Sequence, residues 1–290
     1  MNLKPILLLA VLHLAGCFEL TDEFGDRQLL GRVQSPQITE ASGIAASPLH
    51  ADILWAHNDS GSGSTLYALD TQAQLAGQLE LESADAVDWE DIAASIDPVT
   101  GQSFLYIADI GDNLAIRDSV SIYKAAEPAN LATEMQLGEA ALEKFEFRYP
   151  DGPRDAEALM VDPLSQDMFV ISKWGARPHV YRIPQNSSGV VAEWVTSLPA
   201  LADNGLPGLP VVAADISPDG SEILIKTYNQ ILKWDRLSSE TIAEALNRNP
   251  VRVSYKVEKQ GEAVGWASAG DGYFTLPEGK QAALSFYARF

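Results

Sequence analysis

Three observations in the sequence predict an all-β fold built from a repeated unit. Short apolar or alternating runs recur along the chain with turn residues between them, the pattern of strands rather than helices. An acidic residue, then small and apolar residues, then a turn of Asp, Pro or Gly recurs in degenerate form five times. Each copy is followed by two further β-rich runs, so every unit carries at least three strands.

The copies that open the units are Glu40–Pro48, Asp88–Pro98, Asp155–Pro163, Val212–Gly220 and Glu262–Gly272. The second runs are Ile53–His57, Phe104–Ala108, Met168–Ser172, Glu222–Lys226 and Tyr273–Leu276. The third are Leu66–Leu69, Val120–Tyr123, Val180–Ile183, Ile231–Trp234 and Leu284–Tyr287. Weaker fourth runs follow in four units, at Gln78–Leu81, Lys144–Phe147, Ala192–Val195 and Val251–Tyr255. Such a unit is a propeller blade. The fifth unit ends at Phe290 without a fourth run, and a spare run, Gln28–Val33, lies before the first. The reading is therefore a single β-propeller of five four-stranded blades, the last closed by the N-terminal strand. At about 45 residues per blade the length also permits six, and a β-sandwich is the alternative architecture. One short helix is expected at 239–247, capped by Ser239 with Glu240 in its first turn.

The first 26 residues read as a leader rather than as fold. Lys4 precedes an apolar run, Pro5–Leu14, too short to cross a bilayer as a helix. The run ends in Leu14-Ala15-Gly16-Cys17, which resembles a bacterial lipobox, and Cys17 is the only cysteine. The expected organisation is a lipoprotein signal peptide at 1–16, a lipidated tether at 17–26 and a propeller domain at 27–290. Acyl chains on Cys17 would anchor the protein in the bilayer without a transmembrane helix. Phe18, in place of the Asp that retains such proteins at the inner membrane, points to the outer membrane of the cell envelope.

Charge narrows the partners. The chain carries 40 Asp and Glu against 20 Lys and Arg, a net charge of -20. Such a surface repels nucleic acid and favours cations. In a propeller, the starts of first strands and the ends of second strands open on one mouth. The starts carry Glu40, Asp88, Glu90, Asp91, Asp155, Glu157 and Glu262, with Asp215 slightly offset, and the second-strand ends carry Asn58, Asp59, Asp109, Asp112, Asn113, Lys173, Lys226 and Glu278. Carboxylates about 4 Å apart repel by about 4 kcal/mol at an effective dielectric of ~20. Binding a cation, pairing with lysine, or keeping one acid protonated relieves this. Asp, Glu and Asn oxygens suit Ca²⁺ or Mg²⁺ rather than zinc. The expected metal ligands are Glu40, Asp59, Glu90, Asp109, Asp112, Glu157 and Glu262. Asn58, Asn113, Lys173, Lys226 and Glu278 are expected to receive a ligand, the lysines an anionic group. His57 is expected as a half-buried strand histidine, Trp55 and Trp89 as packing between blades, and Trp174 as an exposed aromatic at the mouth.

Two classes of function fit. One is a binding or scaffold module for a small ligand or an envelope protein. The other is a metal-dependent hydrolase of a phosphoester, lactone or glycoside, with Glu90, Glu157 or Glu262 as general base. No Gly-x-Ser-x-Gly elbow accompanies Ser42-Gly43. The segments Glu40-Ala-Ser-Gly43, Trp55-Ala-His-Asn-Asp-Ser-Gly61, Asp88-Trp-Glu-Asp-Ile-Ala93, Asp109-Ile-Gly-Asp-Asn113, Tyr149-Pro-Asp-Gly152, Asp155-Ala-Glu-Ala-Leu159 and Gly261-Glu-Ala-Val264 together resemble a bacterial family of secreted and lipoprotein β-propellers. More loosely the chain is similar to NHL, gluconolactonase-like and phytase-like propellers, several of which hold calcium in the central channel. The resemblance implies a propeller with a site on its top face. The catalytic patterns of the latter two groups do not map onto these residues.

Overall fold

A computed structural model of the chain describes residues 20, 21, 23–175, 177–199, 201–203, 206, 207 and 209–290. Cys17 and the expected signal peptide lie outside the described residues. The chain folds as a five-bladed β-propeller of four-stranded antiparallel blades. Blade one is Ala41–Ala46, Ile53–Asn58, Thr65–Asp70 and Leu75–Leu81. Blade two is Trp89–Ile96, Ser103–Asp109, Val120–Ala126 and Leu142–Arg148. Blade three is Ala156–Val161, Met168–Ser172, His179–Ile183 and Glu193–Ser197. Blade four is Val211–Ile216, Glu222–Thr227, Ile231–Asp235 and Val251–Val253. Blade five is Gly261–Trp266, Gly272–Pro277 and Ala283–Ala288, and its outer strand is Gln28–Arg32 from the N-terminus. The innermost strand of each blade contacts that of the next, from one to five and back to one, so the ring is closed.

The inner three strands of each blade are mostly buried on both faces because each blade is sandwiched between two others. In blade two, Leu105 and Ile107 pack against Trp55 and Leu66 of blade one. Their neighbours Tyr106 and Ala108 face Leu159 and Val170 of blade three. That is the period of two expected of a strand. Five hydrophobic clusters result, one at each interface between blades. Trp55 and Trp89 are fully buried in the cluster between blades one and two, as expected. Polar clasps reinforce these interfaces. Glu127, at the end of the third strand of blade two, accepts hydrogen bonds from Ser47 Oγ, Trp55 Nε1 (2.8 Å) and Ser103 Oγ (2.6 Å).

Closure uses the spare N-terminal strand. Gln28 pairs with Phe286 and Arg32 with Ala283, with a register shift between Leu29 and Gly31. Gly31 is required there: a Cβ would run into the backbone carbonyl of Gln72. Upstream, Leu20 bridges to Arg252 and Thr21 N donates to Arg252 O at 2.9 Å. Phe24 is buried against Trp266 and Tyr273. The part of the expected tether described here, from Leu20 on, is thus docked on blades four and five.

Two features depart from the sequence reading. Short strands Glu134–Leu137 and Val190–Val191 each leave their own blade and add in parallel to the outer edge of the preceding one. They cover an edge that would otherwise be open. The helix spans Ile242–Leu246 and is capped by Thr241, not Ser239. Thr241 Oγ1 accepts from Glu244 N and the Glu244 carboxylate accepts from Thr241 N, a reciprocal capping box that Ser239, with Ile242 three residues on, cannot form.

Candidate metal centre

Every innermost strand carries a bulge at the same place. Two residues at its start face one on the second strand, between Ala41 and Gly43, Trp89 and Asp91, Ala156 and Ala158, Val211 and Ala213, and Gly261 and Ala263. A bulge re-aims its extra side chain. The five bulged residues are Ser42, Glu90, Glu157, Val212 and Glu262. Three of the expected glutamates therefore occupy one equivalent position. Glu40 does not. It lies two residues earlier, equivalent to Asp88 and Asp155, and its side chain is exposed. Its backbone carbonyl accepts Asp59 N at 2.8 Å and so fixes Asp59 at the mouth. The expected ring of four glutamates is reduced to three, with Ser42 in the fourth place donating to Glu90 O at 2.7 Å.

Glu90 is the hub of the acidic cluster. One oxygen each of Asp59, Asp88 and Glu90 lie within 4.8 Å of one another, as do those of Glu90, Asp155 and Glu157. Glu90, Asp155 and Glu157 are buried, while Asp59 and Asp88 are half-buried. Lys173, immediately after the second strand of blade three, pairs with Glu157 and lies 3.9 Å from Asp155 Oδ2. Five carboxyl groups thus face one ammonium. Asp155 Oδ1 accepts Asp112 N at 3.0 Å, but its buried Oδ2 accepts no hydrogen bond. Glycine at 111 makes the room. A Cβ there would overlap Glu90 Oε1 and lie 2.5 Å from Asp88 Oδ2, and Gly111 N donates to Asp88 O at 3.1 Å.

The electrostatics follow from that crowding. Burial, then the charges of Glu157, Asp59 and Asp88, push the Glu90 carboxyl far above the usual range. Burial also raises Glu157, against the opposing pull of Lys173. Lys173 is itself held up by Glu157, Asp155 and Glu90, which outweigh its burial. Two of the three remedies, lysine pairing and protonation, are therefore built in, and the third needs a cation. All the donors are carboxylate oxygens, the set that hard divalent cations prefer.

The other side of the mouth is different. Glu262 accepts Tyr228 Oη at 2.7 Å, and Glu278 follows the second strand of the same blade. Burial raises both carboxyls above the usual range. Tyr228 occupies in blade four the place of Asp59, Lys173 and Glu278. An isolated aromatic beside a turn gave no sequence signal for this role.

Other expected ligands serve the scaffold. Asn58 accepts from Thr39 N and Glu40 N and donates to Gln37 O, so its carboxamide is used up in clasping a turn. Asp109 accepts Asp88 N and pairs with Arg117 at 2.9 Å. Asp112 accepts Ile116 N and Arg117 N, and Asn113 is exposed on the same loop. Lys226 is fully buried, with Nζ donating to the backbone carbonyls of Gly261 and Thr227 and lying 4.6 Å above the Tyr255 ring. Burial lowers it to about 7. It wedges blade four against blade five, whereas His57, its equivalent in blade one, is buried against blade two and stacks edge-on with Trp89. Trp174 is exposed beside Lys173, as expected.

Farther down the channel, two buried acids tie inner strands together. Asp91 accepts Ile92 N, Leu159 N (2.9 Å) and Ala214 N (3.3 Å), joining blades two, three and four. Asp215 accepts Ile216 N and Trp266 N (2.7 Å), joining blades four and five. Burial raises both, Asp215 to about 7.

No protein-family model matches the sequence, and no curated protein is significantly similar to it.

Proposed function

We propose that this protein is a lipid-anchored, extracytoplasmic binding module whose acidic mouth holds a hard divalent cation, calcium foremost. Asp59, Asp88, Glu90, Asp155 and Glu157 supply the ligands, and Lys173 with the cation receives a small anionic group. The observation that carries the reading is the pair of carboxylate trios sharing buried Glu90, with Asp155 Oδ2 left without a hydrogen bond. Cation binding would replace the proton on Glu90, so affinity falls as the pH is lowered. The test is a thermal melt with millimolar calcium and then with chelator. A cation at ~100 times its dissociation constant adds about 2.7 kcal/mol, a rise on the order of 5 °C at this size. Loss of that rise in Glu157→Gln supports the site; no rise in the unaltered protein refutes it.

The anchor is a diacylglyceryl group on Cys17, with the outer membrane as location. Its support is the lipobox-like Leu14–Cys17 sequence. Incorporation of labelled fatty acid, lost on Cys17→Ser, tests it.

Buried Glu262, held by Tyr228 Oη, favours a second reading, a metal-dependent hydrolase in which this carboxyl moves the proton at the scissile bond. Glu262→Gln would then abolish turnover of a phosphoester, lactone or glycoside while leaving the calcium-induced rise intact.

A further inference from the structure

The central channel has a second end, away from the acidic mouth. There the turns that close the innermost strands surround a cavity of about 300 Å³, within the roughly 300–1,000 Å³ of small-ligand pockets. All five blades contribute to its wall. The recurrent turn prolines Pro48, Pro98, Pro163 and Pro218 line it from blades one to four, and Ser268 takes that place in blade five. A proline ring is rigid and its nitrogen carries no hydrogen, so these turns give apolar wall without adding donors. Asp215 is the one ionisable residue in the lining, and no Lys, Arg or His joins it there. In the shared strand frame its place is taken by Ala45, Ala93, Met160 and Gly265. The repeat thus folds in four blades without an acid at that place. Asp215 Oδ1 accepts Ile216 N and Oδ2 accepts Trp266 N. A carboxylate offers about four acceptor positions, so each oxygen keeps one in reserve. Asp215 is enclosed by the inner strands, yet part of its surface stays open to the cavity.

We propose that this cavity binds a small organic ammonium ion, its N–H donors on the Asp215 carboxylate and its apolar body against the proline-lined wall. Charge complementarity selects this class of ligand. An anion would be repelled by Asp215 and by the net charge of -20. A hard metal ion needs six or so oxygen ligands, and the lining supplies one carboxylate. A neutral apolar molecule would take water from that carboxylate and return no donor. An ammonium ion gives charge-assisted hydrogen bonds at one end and buries carbon at the other. The acidic cluster of blades one to three lies at the opposite end of the channel, so this site stands or falls without it.

The test is isothermal titration calorimetry of the full-length protein, in calcium and again in chelator. The probes share one apolar body and differ in the polar end: phenethylamine, phenylethanol and phenylpropanoate. The expected result is a single site for phenethylamine, about tenfold tighter than for phenylethanol, with no binding of phenylpropanoate. Calcium and chelator should give the same affinity. Asp215→Asn is expected to erase the preference for the amine over the alcohol. Ala94→Leu fills the cavity and leaves Asp215 in place, so it should abolish binding of both even if Asp215→Asn fails to fold. Glu157→Gln, at the opposite mouth, should leave phenethylamine binding unchanged. Absence of saturable phenethylamine binding, equal affinity for the alcohol, or full binding in Ala94→Leu each overturns the proposal. Loss of binding in Glu157→Gln overturns it too, because the amine would then sit in the acidic cluster.

Discussion

Gly111→Ala isolates the acidic cluster more cleanly than removal of any acid. The backbone at 111 lies outside the left-handed region, so alanine meets no conformational penalty there. The added methyl meets side chains alone: it overlaps Glu90 Oε1 and stands 2.5 Å from Asp88 Oδ2. Both carboxyls must move, and they belong to the two trios through their shared member Glu90. Overpacking of this kind costs about 1–3 kcal/mol, a fall of roughly 2–10 °C in melting temperature for a chain of this size. The second effect is on the cation. With Glu90 displaced, neither trio keeps its geometry, and the ~2.7 kcal/mol gained at 100 times the dissociation constant disappears. The assay is a melt of each protein with calcium and with chelator. The expected outcome is a lower melting temperature for Gly111→Ala with chelator and no further rise with calcium. A variant that keeps the full calcium rise refutes the placement of the cation between Asp88, Glu90 and the blade-three acids.

Three other perturbations separate the roles of nearby groups. Lys173→Met removes the one ammonium among five carboxyl groups and breaks a largely buried pair, so it should lower stability in chelator by about 3 kcal/mol. Its calcium-induced rise should exceed that of the unaltered protein; an equal rise means lysine and cation do not compete. Asp215 has a folded pKa of about 7 against an ordinary 3.8, so the native state holds its proton more tightly. The stability it confers is complete below about pH 4 and is lost as pH rises through 7. Urea unfolding at pH 5 and pH 8 should therefore differ less in Asp215→Asn, by on the order of 3 kcal/mol. An unchanged difference contradicts this. Glu127→Ala strands the Trp55 indole N–H and two serine hydroxyls between blades one and two. It should cost about 3 kcal/mol in denaturant unfolding, and a loss below about 1 kcal/mol would show that these donors find other partners.

The blades were legible because the inner three strands of each are mostly apolar and buried and the units repeat in the same order. Met168–Ser172 is bounded as the sequence reading placed it, and the other expected strands differ from the structure mainly by a few end residues. The strands Glu134–Leu137 and Val190–Val191 were not legible. They are short, half-exposed and paired to a blade other than their own, so no local pattern marks them. Thr241-x-x-Glu244 did carry a capping signal, which the apparent start at Ser239 obscured. At the mouth, residue type grouped Glu40 with the bulged glutamates, although it stands in the frame of Asp88 and Asp155. Aligning Gly43 with Asp91, Ala158 and Ala263 puts Ser42 there instead. Asp109 and Asn58 look like ligands by type, but a polar residue ending a strand is also what a turn needs to satisfy its amides. Lys173 and Lys226 stand two positions apart in the blade frame, Lys226 being the equivalent of Ile171. The first follows its strand and reaches the mouth, and the second lies within its strand and is buried.

That frame also explains why the centre is not on the ring axis. The scaffold repeats five times, and the bulge re-aims one side chain per blade, but the residues there are Ser42, Glu90, Glu157, Val212 and Glu262. Val212 is buried and apolar, and Pro210 precedes its strand where Asp88 and Asp155 stand in blades two and three. Blade four thus offers no carboxylate at either position. Negative charge gathers between blades one, two and three, where Asp59, Asp88, Glu90, Asp155 and Glu157 converge. Glu262, on the far side, is occupied with Tyr228. A cation held by the first group sits to one side, leaving the Glu262–Glu278 carboxyls across the mouth from it. A ligand bridging the two sides would meet the acidic cluster and Lys173 at one end and Glu262 with Tyr228 at the other. An anionic group joined to a hydroxyl or ether oxygen satisfies both ends. A symmetric ion on the axis satisfies neither.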